Sequence, residues 1–400
     1  LLGGVEIERF GTQWLGEYIN YGQWLAEPRT PDWFEGKRIL VREVTSGGRI
    51  QANLTSEPFV FSNSVDGIRL KNDAFNELFV LSILNSTCLS FYHLSTSANS
   101  FKDVFPKVLV RDILHFPFPH IDFVTPADAR ERTVNTIIGE VTAGRYRPVL
   151  IRVQEVMRAN QTDVVHDVLA HLAGQMIDLN KHKQAEVKRF LGWLEGRLKI
   201  APKADGSTGI DSLTGKTDLQ GYLGDYQKGQ PEIAWKDFFY RLHQNRGRFG
   251  VSLANVEAEI EREYAASLKV LLPLKDQLAK TDALIDKIVY QLYGLTTAEI
   301  ELIERPQYEQ ALTEAKADAL KDETLTDDEQ KIDKIAEGIL PAAQRFFERI
   351  DPADVESALD GELPNWRALP PDAPTFLLTG DYNLRSLPDH MDFSSSVIPY

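Results

Sequence analysis

The feature that most constrains this chain is a change of hydrophobic period near residue 73. Up to that point apolar residues come in short runs broken by turns, which is the pattern of strands; beyond it they recur at the spacing of helices as far as residue 304. Lys37-Arg38-Ile39-Leu40-Val41-Arg42-Glu43-Val44 reads as a strand, turned at Gly47-Gly48 and followed by Arg49-Ile50-Gln51-Ala52. Pro58 to Phe61 and Val65 to Leu70 read as two further strands across a polar turn. Residues 21–35 hold two prolines with Trp24, Trp33 and Phe34, the mark of a loop pinned by aromatic rings.

The helical pattern begins with Phe75, Leu78, Phe79, Ser82 and Ile83, which Asp73 can cap, and continues through Leu89 to Tyr92. His115-Phe116-Pro117-Phe118-Pro119 stops it, since proline lacks the N–H and restricts the residue before it. Periodic runs return around Val134 to Ile138, Val149 to Met157, Val164 to Ile177 and Val187 to Leu198. A polar stretch at 202–232 with Gly206, Gly209, Gly215, Gly221, Gly224 and Gly229 breaks the rhythm, as a loop that either grips something or moves in solvent. Trp235 to Gln244, Leu253 to Leu278 and Asp282 to Tyr293 follow, the last ended by Gly294, with a short helix from Thr297.

These patterns predict an α+β chain: a small mixed or antiparallel sheet domain, then a mainly helical domain with long paired helices and an acidic extension. The boundaries expected are a lead-in at 1–30 from an upstream domain, the sheet domain at 31–120, a helical support at 121–304 containing the Gly-rich loop 202–232, and an acidic, proline-rich extension at 305–400. The opening Leu1-Leu2-Gly3-Gly4 has no methionine and no basic leader.

The net charge of -15 is unevenly spread. Residues 1–120 carry 11 Lys/Arg against 13 Asp/Glu, residues 121–304 carry 24 against 26, and residues 305–400 carry 9 against 20. A nearly neutral body can present a basic surface to nucleic acid, so the total neither supports nor excludes DNA. No run is long and apolar enough for a membrane span. With the single cysteine Cys88, a disulfide within the chain is impossible, and a cytoplasmic setting is expected.

Familiar catalytic spacings are missing. The sequence has no Gly-rich turn after a strand for a methyl-donor cofactor, no Asn-Pro-Pro-aromatic loop, no Gly-x-Ser-x-Gly elbow, no His-Glu-x-x-His and no cysteine pair for zinc. Gly215-Lys216-Thr217 resembles the end of a phosphate loop, but Gly209 stands one residue too far away and no helix opening at Lys216 is apparent. His166 and His171, five apart, read as a surface and boundary pair. Glu314-x-Lys316 reads as part of an exposed helical face. No catalytic, cofactor-binding or metal-binding residue is expected in this chain.

The positive signal is basic and local. Lys37, Arg38, Arg42 and Arg49 accompany the hairpin, and Asn99, Lys102, Lys107 and Arg111 surround the polar loop and the turn after it. Lysines suit phosphates, and the forked donors of arginine or the amide of asparagine suit base edges. The same residues can equally solvate one face, with Glu43, Asp103 and Asp112 as ion-pair partners.

Longer strings favour the first reading. WFEGKRILVREV at 33–44, EPFVFSNSVDGIRL at 57–70, ILNSTCLSFYH at 83–93 and SFKDVFPKVLVRDILHFPFP at 100–119 resemble the C-terminal specificity domain of Taq I-like adenine methyltransferases and fused type IIG restriction-modification enzymes. LTGKTDLQGYLGDYQKG at 213–229, LHQNRGRFGV at 242–251 and the run from 271 to 304 resemble the helical region that follows it. The resemblance implies a reader of double-stranded DNA. A separate domain or chain would bind S-adenosylmethionine and methylate N6 of a flipped adenine. On that reading this chain alone is inactive, and its role is phage defence through restriction-modification. Contact with DNA is then expected from Lys37, Arg38, Arg42, Arg49, Asn99 and Lys102, and also from Lys107 and Arg111. Backbone grip is expected from Lys216, Lys228, Arg246 and Arg248, while Phe101, Phe105, Phe116 and Phe118 read as packing rings. The alternative is a helical platform that holds a separate methyltransferase without reading DNA itself.

Overall fold

The computed structural model describes residues 1–25, 28–71, 74–96, 107–204 and 207–304. Asp73, Glu314, Lys316 and the whole acidic extension therefore lie outside the described residues. By contacts the chain divides into two compact units: Leu1–Ile177 with the described residues from Asp282 onward, and Asp178–Thr281.

The first unit begins with a small hairpin, β1 (Ile7–Glu8) and β2 (Gly11–Thr12). Its turn holds Phe10 at a φ of 57°, uncommon for a residue with a side chain. Burial of Phe10 and the bond from its N–H to the Ala52 carbonyl at 2.9 Å keep it there. The main sheet has three antiparallel strands in the order β4-β3-β5, with β3 (Arg38–Arg42) between β4 (Ala52–Thr55) and β5 (Val65–Ile68). Gly47 and Gly48, both at positive φ, supply the turn between β3 and β4 that the Gly-Gly pair predicts.

Two sequence expectations are corrected here. Pro58 to Phe61 is not a strand; Phe61 makes only an isolated bridge to Leu2. Nor are residues 1–30 a lead-in, because Leu2, Ile7 and Phe10 are fully buried, and Leu2 and Ile7 pack with Leu40, Phe34, Phe61 and Val65 on one face of β3. A segment that closes one face of the sheet belongs to the sheet's domain.

Helices α1 (Glu77–Leu84) and α2 (Thr87–Thr96) follow, with α1 against β3 and β4. Asn76 caps α1: its side chain accepts from the Leu78 N–H at 2.9 Å. Among the described residues no single helix is long and apolar enough to cross a membrane, and the apolar α1–α2 pair is core, with Phe79, Leu81, Ile83, Leu84 and Leu89 all buried. The hydroxyls of Ser82, Ser86 and Ser90 donate back to the carbonyls of Phe79, Ile83 and Ser86, so these three hydroxyls are buried with their donors satisfied.

After α3 (Val110–Leu114) come the antiparallel neighbours α4 (Ala127–Thr142) and α5 (Tyr146–Arg158), then α6 (Thr162–Leu198). The two runs expected at 164–177 and 187–198 are one 37-residue helix, since neither proline nor glycine separates them. Its first half lies in the first unit, so the support expected at 121–304 is divided between the units. His166 is core as well: its ring lies 4.6 Å from that of Phe79, and its Nε2 accepts from the Asn76 N–H. His171 is exposed, as expected.

In the second unit, α7 (Lys216–Gln220), α8 (Trp235–Gln244) and α9 (Glu257–Leu292) join the second half of α6. The helix α9 runs unbroken through Pro273, where two helices were expected. Gly294 at a φ of 65° ends that run, and Thr296 and Glu299 form a reciprocal cap for the turn at 297–304. The Gly-rich stretch is anchored: Ile210, Leu213, Leu219, Tyr222 and Leu223 sit in the unit's core with Phe190, Phe238 and Tyr264. A short helix does open at Lys216, contrary to expectation, but a 3-10 turn at Gly209–Ser212 precedes it where a phosphate loop needs a strand.

Candidate nucleic-acid interface

The central strand β3 sorts the expected basic residues by register. Lys37 precedes it at the surface and pairs with Glu77 at 2.7 Å, both groups partly open to water. Burial would raise the Glu77 carboxyl, and the hydrogen bond from Lys37 outweighs it, so the group ionises below its ordinary range. Arg38 is fully buried, and its guanidinium donates to the carbonyls of Gly36, Glu57 and Phe59. That commitment fixes the loop before β5 and corrects the expectation of direct DNA contact from this side chain.

Arg42, at the other end of the strand, is half-buried and makes no ion pair or side-chain hydrogen bond among the described residues. Burial lowers its pKa, and the charge of Glu8 works against that shift. A partly desolvated guanidinium with open donors is suited to an incoming anion or base edge. It lies beside Gly4, where an added Cβ would come within 3.4 Å of the arginine's own Cγ.

Arg49 belongs to a different constellation. It is 8% exposed, donates to the Asn85 carbonyl at 3.0 Å and stands 3.8 Å from Asp286. Arg9, which the sequence reading passed over, is 1% exposed; it donates to the same carbonyl and makes a two-pronged pair with Asp282, one bond being 2.8 Å. Asn85 closes the arrangement by exchanging hydrogen bonds with both backbone groups of Ala52, and Asp286 accepts from the N–H and hydroxyl of Thr87. This buried cluster ties the N-terminal hairpin, the sheet and the bend between α1 and α2 to the end of α9. Two buried arginines held by acceptors within the protein are structural, so Arg49 is corrected in the same way as Arg38.

Around the loop, Asn99, Lys102, Phe101 and Phe105 lie outside the described residues. Its return is described: Lys107 bridges Val44, and the Val108 N–H donates to the Glu43 carbonyl at 2.6 Å. The chain after α2 therefore rejoins the sheet directly beyond Arg42. Lys107 pairs with Glu43 at 2.8 Å and Arg111 approaches Asp112 at 3.8 Å, the ion-pair alternative read from the sequence. Both cations remain substantially exposed. Such pairs stabilise by only about 0–1 kcal/mol, so an approaching phosphate can displace the carboxylate. Phe116 packs against Tyr92 and His93, as a core ring should.

In the second unit, Lys216 and Lys228 are exposed and make no ion pair or side-chain hydrogen bond among the described residues, and Arg246 is exposed beside His243. Arg248 instead holds the loop, donating to Ser212 and to the Ala201 carbonyl. No group of His, Cys, Asp or Glu suited to a metal occurs among the described residues.

The three-stranded sheet and Arg9, Arg38, Arg42 and Arg49 all fall in the stretch that a known family model covers. Residues 1–118 match the TaqI-like C-terminal specificity domain. The match begins at the first residue, in agreement with the packing of Leu2, Ile7 and Phe10 into the sheet. It ends as the Pro117 carbonyl accepts from the Tyr293 hydroxyl at 2.7 Å. The specificity domain is followed by a mainly helical region, which this match does not reach. No curated protein and no solved structure matches the chain.

Proposed function

We propose that the specificity domain reads double-stranded DNA for an S-adenosylmethionine-dependent adenine-N6 methyltransferase or a fused type IIG restriction-modification enzyme, with the catalytic unit supplied by sequence other than these 400 residues. The family match over 1–118 carries this reading. The exposed Lys37, Lys107 and Arg111 and the half-buried Arg42 support it, because Arg38 and Arg49 are by contrast consumed internally. Arg42 is the base-reading candidate, with Asn99 and Lys102 proposed on the loop that rejoins the sheet beside it. Lys37, Lys107 and Arg111 position the backbone, as do Lys216, Lys228 and Arg246 in the helical region.

A catalytic unit also has a surface to meet. Glu6, 4% exposed, accepts from the N–H groups of Gly3 and Leu15 and so braces a strap that turns Leu15, Tyr18 and Trp24 outward, each more than 60% exposed. Its charged neighbour Glu17 disfavours phosphate there and favours protein.

The test is selection of a randomised duplex library by the 400-residue chain. The proposal expects an enriched sequence that is lost in Arg42→Ala. Absence of any salt-dependent complex would leave the platform reading in its place.

A further inference from the structure

The helix α5 carries basic residues that neither the specificity domain nor the sequence reading accounts for. Residues 121–160 contain six arginines and no lysine. Two are committed: Arg130 to Asp163 and Asp167, and Arg145 to Glu140. Arg132 on α4, and Arg147, Arg152 and Arg158 on α5, are exposed and make no ion pair or side-chain hydrogen bond among the described residues.

Their placement follows from helix geometry. Val149, Val153 and Val156 are buried and define the inward stripe of α5. At about 100° per residue, Arg147, Gln154 and Arg158 then share an arc of about 40° on the opposite side, whereas Arg152 falls about 40° from Val156, beside the inward stripe, where its charge acts on Glu140. The arginines at the two ends stand about 16 Å apart along the helix, a span of about five steps along one strand of a duplex. Glu155 is the one acidic residue of α5, and it pairs with neither Arg152 nor Arg158 although each is three residues away. Three helical arginines of the second unit do meet acids: Arg189 meets Glu186 and Glu263, Arg197 meets Glu259, and Arg241 meets Asp218.

We infer that the outward face of α5 is a phosphate-binding surface for duplex DNA, gripping the backbone without reading bases. The argument is charge complementarity: planar guanidinium groups without internal partners, in a chain whose total charge would otherwise repel phosphate. The inference rests on the proposed DNA-reading function and adds a second, sequence-independent contact beyond residue 118.

The experiment is binding of the 400-residue chain to a random-sequence 40-bp duplex over a series of salt concentrations. Arg147→Gln and Arg158→Gln together should lower the slope of log affinity against log salt by about 2, since each lost phosphate contact removes about 0.9. The two Arg→Lys changes should retain most of the slope. A control with Lys181→Gln and Lys188→Gln makes the same change in net charge at exposed sites and should leave the slope near wild type. If the α5 variant keeps the wild-type slope, or the control falls equally, the inference is overturned while the specificity-domain reading stands on its own selected sequence. If the wild-type chain binds no duplex at all, both fall. Glutamine preserves helix propensity at exposed positions, and unchanged circular dichroism verifies the fold.

Discussion

In the first unit the most deeply buried large side chains include Arg9, whose charge is met by Asp282 and whose donors share the Asn85 carbonyl with Arg49; the second unit is centred instead on the rings of Phe190, Tyr222, Phe238 and Tyr264. The ring centroids of Phe238 and Tyr264 are 4.6 Å apart, and those of Phe190 and Tyr222 are 5.0 Å apart. The contrast is one of directionality. An ion pair taken out of water needs particular partners at particular angles, whereas aromatic packing depends mainly on volume and area. On the proposed function, a domain that must hold a reading surface in one register gains from the first kind of core, and a supporting helical unit can rely on the second.

The largest expected effect breaks the polar core. Asp282→Ala leaves Arg9 buried without its counter-charge and should destabilise by about 3–5 kcal/mol, whereas Arg9→Met with Asp282→Leu should recover most of that loss. Urea unfolding with hydrogen exchange resolved to the first unit measures both, and a double variant as unstable as the single would refute the role assigned to directional pairing. Phe190→Leu, by contrast, should cost less than about 1.5 kcal/mol because the surrounding rings can repack. A loss as large as that of Asp282→Ala would erase the distinction between the cores.

A smaller effect concerns pH. His93 in the first unit is fully buried, and burial lowers its pKa, with Asp112 opposing the shift. Above about pH 6.5 the ring is neutral folded or unfolded, so no penalty arises. Below it the unfolded chain takes a proton that the folded state resists, and stability is lost as pH falls toward the folded-state value, by at most about 1.4 kcal/mol per pH unit. Protection of the first unit should therefore decline between pH 7 and 5, and His93→Gln should flatten that decline. His182 and His243 in the second unit are exposed. The smallest effect on stability is expected from Arg42→Ala, within about 0.5 kcal/mol, as for substitutions away from packed features. Its loss of selective duplex binding should reach about 1–3 kcal/mol, measured against the selected sequence.

How far the sequence reached depended on the range of the interactions. The Gly47-Gly48 turn, the helix at Trp235 to Gln244, the stop at Gly294 and the break at His115 to Pro119 were all legible, because each follows from backbone preferences a few residues long. The merging of two runs into α6 was legible only in part: the helical period was visible, but its continuity through a polar middle was not. Arg38, Arg42 and Arg49 show where local reading stops. All three lie in one hairpin with the same chemistry, and sequence spacing treats them alike.

Tertiary structure separated them. Carbonyls from the loop before β5 consumed Arg38, and Asn85 and Asp286 engaged Arg49, the latter carboxylate lying more than two hundred residues away in sequence. Arg42 was left without such a partner. The sequence by itself determined that this chain pairs a small sheet with helices, because hydrophobic period is a local property of backbone geometry. Which cations remain available to an outside ligand was decided only on folding, because satisfying a guanidinium requires acceptors brought together from distant parts of the chain.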